Sequence, residues 1–209
     1  MIRLNDITVK FNNAYILKDF NLTIEKGEKV LISGKSGIGK STLLKLLLGF
    51  TLPDKGSILF KDATLDKDNI WEFRKNVAYV SQDLDIGEGE VKELIKNIFI
   101  FKSNSEAAFN KDRLTELMHI FEFDEEILSK NYEELSGGEK QRVVIIISLL
   151  LQRDIFLLDE ISSALDENLK KKVIDYFLEQ KDLTVIIVSH DTNHIQKNQL
   201  RTINLENQS

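Results

Sequence analysis

A glycine-rich stretch near the N-terminus constrains the fold of this chain more than any other feature. The stretch consists of Gly34, Lys35, Ser36, Gly37, Ile38, Gly39, Lys40 and Ser41, and it fits the pattern G-x-x-x-x-G-K-[ST]. The short apolar run 29–33 precedes it, and a run without helix breakers, from Thr42 to Leu48, follows it. A strand, a glycine loop and a helix in this order predict a phosphate-binding loop.

The residue types in this stretch explain why it would bind phosphate. Glycines let the backbone wrap closely and point N–H groups inward, and the N-terminus of the following helix adds partial positive charge. Lys40 would reach the β- and γ-phosphates of a nucleotide, and the Ser41 hydroxyl would ligate Mg²⁺. The alternative is a chance glycine-rich turn, and the strand and helix that flank the stretch argue against it.

Composition excludes several classes of protein. The net charge of −6 argues against a general nucleic-acid binder, and the absence of cysteine excludes disulfides and thiolate metal sites. The longest apolar run, 143–151, is broken by Ser148 and is far shorter than the roughly 18–20 residues that span a bilayer. The chain also begins without an apolar signal region. We therefore expect a cytoplasmic protein that does not insert into the membrane and reaches it only through a partner.

The hydrophobic pattern indicates one α/β domain over residues 1–209. Residues 2–33 alternate as strands do, while 155–159 and 184–189 are typical of buried parallel strands separated by a charged helix at 167–180. From about residue 84 to 135, apolar residues recur at helical spacing. This segment is predicted to be a helical subdomain inserted in the α/β core.

A second phosphate-binding element is predicted just after this segment. It consists of Leu135, Ser136, Gly137, Gly138, Glu139, Lys140, Gln141 and Arg142. Ser136 followed by Glu139 three residues later has the spacing of a capping box at a helix start, where a hydroxyl and glycine N–H groups are available to phosphate. The stretch resembles the signature motif of ATP-binding-cassette (ABC) ATPases.

Further motifs extend the resemblance over nearly the whole chain. The segment 155–160 is similar to the second nucleotide motif of the family, and this implies that Asp159 holds Mg²⁺ through water and that Glu160 polarises the attacking water. The segment 163–166 resembles the D-loop, which contributes Asp166 to the nucleotide site. By position, His190 resembles the switch histidine that contacts the γ-phosphate, and Gln82 the glutamine that senses Mg²⁺ and the partner.

The family also has an aromatic residue near the N-terminus that stacks on adenine. Phe11 has the better spacing for this role, and Tyr15 is the second candidate. Because Phe11 alternates with Ile7 and Val9, a place in the hydrophobic core is an alternative for its side chain.

One departure from the family narrows the resemblance. Ile161 stands where many members have proline after the Asp-Glu pair. The segment 159–167, together with 127–131, is similar to a small group of bacterial iron-export ATPase subunits. This similarity implies iron or another small solute as cargo.

The resemblance implies a fold, cofactors and partners. The fold is the ABC type of P-loop NTPase, with a mostly parallel core sheet, an N-terminal antiparallel β subdomain and the helical insertion. The implied cofactors are ATP and Mg²⁺. In the implied head-to-tail homodimer, 34–42 of one chain and 136–139 of the other hold each ATP. A membrane permease would tether this dimer to the inner face of the cell membrane.

Other functional classes fit the sequence less well. An ABC-type ATPase acting on nucleic acid or ribosomes typically has long coiled coils, zinc-binding cysteines or a second cassette, and this chain has none of these. A catalytically inactive regulatory module is disfavoured because Lys40, Asp159 and Glu160 are all present. A nucleotide kinase would have no use for 136–139.

Overall fold

Two sheets form the framework of the protein. The computed structural model describes residues 1–12, 14–161, 164–189 and 200–208, with backbone only at 207 and 208. Over these ranges, one sheet is antiparallel with strand order β2-β1-β4-β5, and the other is parallel with order β6-β7-β8-β3-β9. The predicted combination of a parallel core sheet and an N-terminal antiparallel subdomain is confirmed.

The antiparallel sheet is built mainly from the N-terminal hairpin. Its strands are β1 (Ile2–Phe11), β2 (Ala14–Ile24), β4 (Lys55–Phe60) and β5 (Ala63–Thr64). Ile2 of the central strand β1 pairs with Ile24 on one side and with Phe60 on the other, and all three side chains are buried. The β1–β4 pairing ends at Thr8, so the tip of the β1–β2 hairpin extends beyond β4.

The parallel sheet divides the core into two layers. Its strands are β3 (Lys29–Ser33), β6 (Val77–Val80), β7 (Ile155–Asp159), β8 (Thr184–Val188) and β9 (Arg201–Asn204). Side chains alternate between the faces: Ile155 and Leu157 belong to one apolar cluster, and Phe156 and Leu158 belong to the other. Each strand except the edge strands is therefore apolar on both faces, which explains its continuous apolar sequence.

The helices cover both faces of this sheet. On the first face lie α1 (Lys40–Leu47) and α2 (Ile70–Arg74), together with the antiparallel sheet. On the second face lie α3 (Val91–Ile100), α4 (Lys111–Ile120), α5 (Gly137–Leu150) and α6 (Glu167–Glu179). In the described ranges, no helix combines the length and the apolar character that crossing a bilayer requires.

The segment predicted as a helical insertion contains α3 and α4, followed by short 3₁₀ turns at Glu125–Ser129 and Tyr132–Glu134. A further 3₁₀ turn lies between α3 and α4 at Lys102–Asn104, and another ends the described chain at Leu205–Gln208. The boundaries of the subdomain, 84 and 135, stay a prediction.

Candidate functional site

The glycine-rich loop joins β3 to α1, as its sequence predicts. Gly39 is the N-cap of α1 and has a φ of 112°, a left-handed conformation that favours glycine. A Cβ at this position would lie 2.4 Å from Cγ2 of Ile16, so a side chain would collide with β2. Because glycine has no side chain that could cap the helix, the first N–H groups of α1 remain available to an anion.

Lys40 places its ammonium group at this loop. The side chain is only 6% exposed, and Nζ donates hydrogen bonds to the carbonyl oxygens of Gly34 at 2.8 Å and Lys35 at 3.1 Å. These carbonyls belong to the same loop, so the lysine curves back over it. The result is a positive charge beside the start of α1, where phosphate oxygens would be recognised.

Asp159, at the end of β7, lies in a buried polar corner next to the loop. Its Oδ1 is 3.4 Å from the Ser41 hydroxyl and its Oδ2 is 3.4 Å from the Tyr79 hydroxyl, and each hydroxyl donates to the carboxylate. Burial raises the pKa of Asp159; the Ser41 hydrogen bond opposes this shift, and the charge of Glu160 adds to it. Burial, together with the charge of Asp159, raises the pKa of Tyr79 to about 12.

The donors at this corner suit a magnesium ion. Mg²⁺ prefers oxygen ligands and is usually held by one or two carboxylates together with substrate phosphates and water. Ser41 and Asp159 provide such oxygens, and a cation would offset the desolvation cost of the buried carboxylate. Among the described residues, no group of three or more His, Cys, Asp or Glu side chains could hold a metal. A Mg²⁺ ion here would need nucleotide oxygens to complete its ligands.

Glu160 follows Asp159 in a left-handed backbone conformation. Its φ is 52°, and its N–H donates to the carbonyl of Val188 at 3.0 Å. Non-glycine residues seldom adopt this conformation, and here it ends β7 directly after Asp159. The next residue, Ile161, is 1% exposed and packs in the core. Because a residue before proline is biased towards extended conformations, Ile161 leaves Glu160 free to adopt this turn.

The signature stretch begins α5 with the predicted capping box. Ser136 Oγ accepts a hydrogen bond from the Glu139 N–H at 3.3 Å, and Glu139 Oε2 accepts from the Ser136 N–H at 2.8 Å and from its hydroxyl at 2.7 Å. These Ser136 hydrogen bonds lower the pKa of Glu139, the backbone one most strongly. A Cβ on Gly138 would lie 2.9 Å from the Ala164 carbonyl oxygen. The start of α5 therefore packs closely on the predicted D-loop.

The two glycine-containing helix starts lie on opposite faces of the parallel sheet. Helix α1 packs with Ile155 and Leu157, whereas α5 packs with Phe156 and Leu158. The phosphate loop follows the C-terminal end of β3, and the start of α5 meets Ala164 beyond the C-terminal end of β7. One chain thus presents both helix starts near the same edge of the sheet but on different sides of it.

The two aromatic candidates for adenine stacking are both exposed, Phe11 by 67% and Tyr15 by 53%. The alternative of a core position for Phe11 is therefore wrong, because the hairpin tip extends past the last β1–β4 pair. Phe11 pairs with Ala14, and a register shift lies between this pair and Leu17, at Ile16, the residue that a Cβ on Gly39 would meet. Tyr15 lies on the other face, with the ammonium group of Lys10 4.7 Å from its ring centroid. The hairpin tip therefore lies beside the phosphate loop, and the choice between Phe11 and Tyr15 for adenine stacking stays a prediction.

The remaining predicted site residues differ in their surroundings. Gln82 is exposed and follows β6. Asp166 caps α6, with Oδ1 accepting from the N–H groups of Asn168 and Leu169, each at 3.0 Å. His190 lies outside the described residues. The nucleotide roles of all three stay predictions.

Two contacts at the site were not predicted. One is the hydrogen bond from Tyr79 to Asp159. In the other, the backbone N–H of Lys35 donates to Glu206 Oε1 at 3.0 Å. This hydrogen bond holds the 3₁₀ turn Leu205–Gln208, which follows β9, against the phosphate loop. The period-two pattern of β6, which puts Tyr79 on the same face as Val77, is the signal that could have indicated the first contact.

Comparisons with known proteins agree with this geometry. Residues 17–163 match the ABC transporter family. The probable iron export ATP-binding protein FetA of Escherichia coli (strain K12) is 35% identical over 93% of this chain and 87% of its own. The ergothioneine transport ATP-binding protein EgtV of Helicobacter pylori (strain G27) is 31% identical over 99% of this chain and 97% of its own.

Solved structures share the fold as well as the motifs. The dimeric structure of a bacterial ABC transporter cassette matches with a TM-score of 0.80 at 27% identity, covering 98% of this chain and 95% of that chain. A post-hydrolysis state of the same cassette, bound to ADP and Pi, matches with a TM-score of 0.77 at 29% identity, covering 93% of this chain and 90% of that chain. The chain therefore belongs to the ABC transporter family, as one of its ATP-binding, ATP-hydrolysing subunits.

Proposed function

We propose that this ATPase works as a head-to-tail homodimer that closes on ATP and thereby drives a membrane permease. The observation that carries the proposal is the position of α1 and α5 on opposite faces of the central sheet. A phosphate loop on one face and a Ser136 helix start on the other suit a nucleotide shared between chains. The relative whose cassette was solved as a dimer supports the same arrangement.

In the proposed site, the loop 34–42 binds the phosphates of ATP. The N–H groups at the start of α1 and the ammonium group of Lys40 provide positive charge for the β- and γ-phosphates. Phe11 provides a flat surface for the adenine ring. Ser136, Gly137, Gly138 and Glu139 of the second chain complete the site from its far side.

The buried corner at Asp159 is proposed as the magnesium site, with Ser41 and Gln82 contributing. When bound, Mg²⁺ neutralises charge that develops on the transferred phosphoryl group. Asp159 would hold the ion through water, and Ser41 would contribute its hydroxyl oxygen. The oxygen donors present and the burial of the carboxylate support this assignment.

Glu160 is proposed as the residue that orients and activates the attacking water. It follows Asp159 directly, so a carboxylate is available next to the metal position. We propose that His190 contacts the γ-phosphate and that Asp166 contributes through the D-loop. Hydrolysis removes the γ-phosphate that joins the two chains, and the dimer then opens.

The change Glu160→Gln tests this assignment. Because a general base contributes about 10²–10⁴-fold, we expect turnover to fall by about 100-fold or more while ATP binding is retained. The variant should accumulate as a dimer with ATP and Mg²⁺ in size-exclusion chromatography. The matched control is Glu179→Gln, the same change at an exposed position near the end of α6. Unchanged hydrolysis in the Glu160 variant would remove this residue from its proposed role.

We propose that the permease docks in a groove between α2 and the helical segment. The groove has a volume of about 720 Å³. It is lined in part by Trp71, which is 59% exposed, and by Arg74, whose guanidinium carbon lies 4.7 Å from the Trp71 ring centroid. Four basic side chains line the groove and outnumber its two carboxylates, so a partly apolar and partly acidic helix of a permease would fit. The basic residues are Arg74, Lys75, Lys102 and Arg153, and the acidic ones are Glu72, which pairs with Lys75, and Glu106. A pull-down from detergent-solubilised membranes tests this partner, and the recovery of ribosomes or nucleic acid instead would contradict it.

The proposed location is the cytoplasmic face of the cell membrane, where the permease would hold the chain. The proposed cargo is a small solute, and iron is the first to test because the FetA relative is named for iron export. Uptake or efflux of radiolabelled iron, in cells that make or lack this chain together with its permease, measures this directly. Equal iron contents in the two kinds of cell would exclude iron.

A further inference from the structure

Tyr79 lies on the same side of the parallel sheet as the phosphate-loop helix. Its ring packs with the apolar cluster that contains the side chains of α1, as does Val77 two residues earlier. On the neighbouring strand, Ile155 and Leu157 face the same cluster, and Asp159 continues their alternation. The parallel pairing of β6 and β7, with Tyr79 opposite Leu157, therefore brings the tyrosine ring towards the end of β7.

The Tyr79 hydroxyl and the Ser41 hydroxyl contact different oxygens of the Asp159 carboxylate. Tyr79 donates to Oδ2 and Ser41 donates to Oδ1, each at 3.4 Å. Both distances exceed the roughly 2.5–3.0 Å of a strong O–H···O hydrogen bond, so each of the two contacts orients the carboxylate only weakly. With Oδ2 turned towards the tyrosine, Oδ1 faces the start of α1.

We propose that Tyr79 is a positioning residue for Asp159: by donating to Oδ2, it keeps Oδ1 turned towards Ser41, where a magnesium ion would bind. The inference rests on the proposed metal role of Asp159. Hydrogen-bonded neighbours of a metal-binding carboxylate fix its orientation, and their loss typically weakens metal binding. Tyr79 is on β6, the strand that Gln82 follows. The hydrogen bond from Tyr79 to Asp159 therefore connects β6 to the proposed metal position.

The test is Tyr79→Phe, which removes the hydroxyl and keeps the ring in its apolar contacts. We expect the Mg²⁺ concentration needed for half-maximal binding of a fluorescent ATP analogue to rise about three- to tenfold. Binding of the analogue in EDTA should be unchanged. The matched control is Tyr176→Phe, which removes another half-buried hydroxyl, hydrogen-bonded to Arg113 between α4 and α6. This control should keep the wild-type Mg²⁺ dependence.

The change Asp159→Asn separates the inference from the function on which it rests. In one outcome, Asp159→Asn raises the Mg²⁺ concentration needed for half-maximal binding while Tyr79→Phe leaves it unchanged. In that case the positioning role of Tyr79 is wrong and the metal role of Asp159 stands. If neither change alters the Mg²⁺ dependence, the metal role of Asp159 is wrong as well. A Tyr79→Phe variant that binds nucleotide more weakly even in EDTA would indicate a structural role alone and overturn the inference.

Discussion

The phosphate loop and the start of α5 are both glycine-containing helix N-termini, and the chain surrounds them very differently. At the phosphate loop, Lys40 and Asp159 are buried at 6% and 4% exposure and converge from separate elements. At the start of α5, Ser136 is exposed, and its hydroxyl donates to Glu139 of the same helix turn. One candidate anion site is thus formed by long-range packing, whereas the other consists of a single local motif.

The carboxylates at the two sites differ in the same way. Burial raises the pKa of Asp159, which means that its surroundings disfavour the charged form. Hydrogen bonds from Ser136, the backbone one most strongly, lower the pKa of Glu139, which means that its surroundings favour the charged form. A cation would therefore stabilise the first site, while the second is satisfied within its own turn. In the proposed dimer, the first site would therefore bind nucleotide by itself, and the second would contact a nucleotide that is already bound.

The largest effect on nucleotide affinity is expected from Lys40→Ala, at the phosphate loop. Hydrogen bonds from a charged donor contribute about 1.5–3 kcal/mol each, so ATP affinity should fall about 10- to 100-fold. Isothermal titration with a non-hydrolysable ATP analogue measures this change. The control is Lys171→Ala, an exposed lysine of α6 with the same charge. An ATP affinity equal to that of the wild type would contradict the assignment of the loop.

The strands show how far sequence reasoning reaches. The pattern predicts β7 to the residue, because a buried parallel strand has a continuous apolar run between polar flanks. Strand β9 was not predicted. Its sequence, Arg201–Asn204, is mostly polar, and as an edge strand it pairs only with β3 among the described strands. Only Ile203 of its four residues is buried, so this strand gives no apolar signal.

At the site, the sequence predicts local motifs and misses long-range contacts. The glycines of the phosphate loop are predictable because the backbone at Gly39 tolerates no side chain. The contacts of Tyr79 with Asp159 and of Glu206 with Lys35 depend on strand order and register, which no local pattern specifies. The exposure of Phe11 was also beyond the pattern, because alternation alone does not tell where the neighbouring strand ends.

A smaller effect, on hydrolysis but not on nucleotide affinity, is expected from Ser136→Ala. Losing one hydroxyl contact to the nucleotide of the partner chain should reduce turnover about tenfold, with the ATP affinity of the monomer unchanged. The loss of the cap should also lower the free energy of unfolding by about 1 kcal/mol. The control is Asn110→Ala, because Asn110 caps α4 by accepting from the Arg113 N–H at 2.9 Å. That variant should lose similar stability and keep its turnover.

Mixed dimers sharpen the Ser136 prediction. When Ser136→Ala chains are combined with Lys40→Ala chains, one composite site has both defects and the other has neither. Turnover should then exceed that of either variant alone. If both residues acted within one chain, every site would have a defect, and mixing would restore nothing.

An effect of about fivefold is expected from Phe11→Ala at the tip of the N-terminal hairpin. Base–aromatic stacking is worth about 1–3 kcal/mol, and the exposed position of Phe11 places this loss near the lower end. Tyr15→Ala is the matched comparison, since Tyr15 is an exposed aromatic residue of the same hairpin on the other strand face. Titration of both variants with a non-hydrolysable ATP analogue ranks them. A greater loss for Tyr15→Ala would reverse the assignment.

The smallest effect concerns Glu139 and separates its charge from its hydrogen bonds. Because the folded-state pKa of Glu139 lies below the unfolded value, its charge stabilises the protein above pH 4.5, and this contribution is lost as the pH falls through the folded-state pKa. The change Glu139→Gln would keep an acceptor oxygen and remove the charge. At low salt, the wild type should therefore be more stable by about 0.3–1 kcal/mol at pH 7. Urea unfolding at pH 7, 5 and 3.5 should show this difference shrinking with acid, and at pH 7 with added salt. A constant difference at every pH would mean that the cap of α5 depends on side-chain shape, and the contrast with Asp159 would then not be electrostatic.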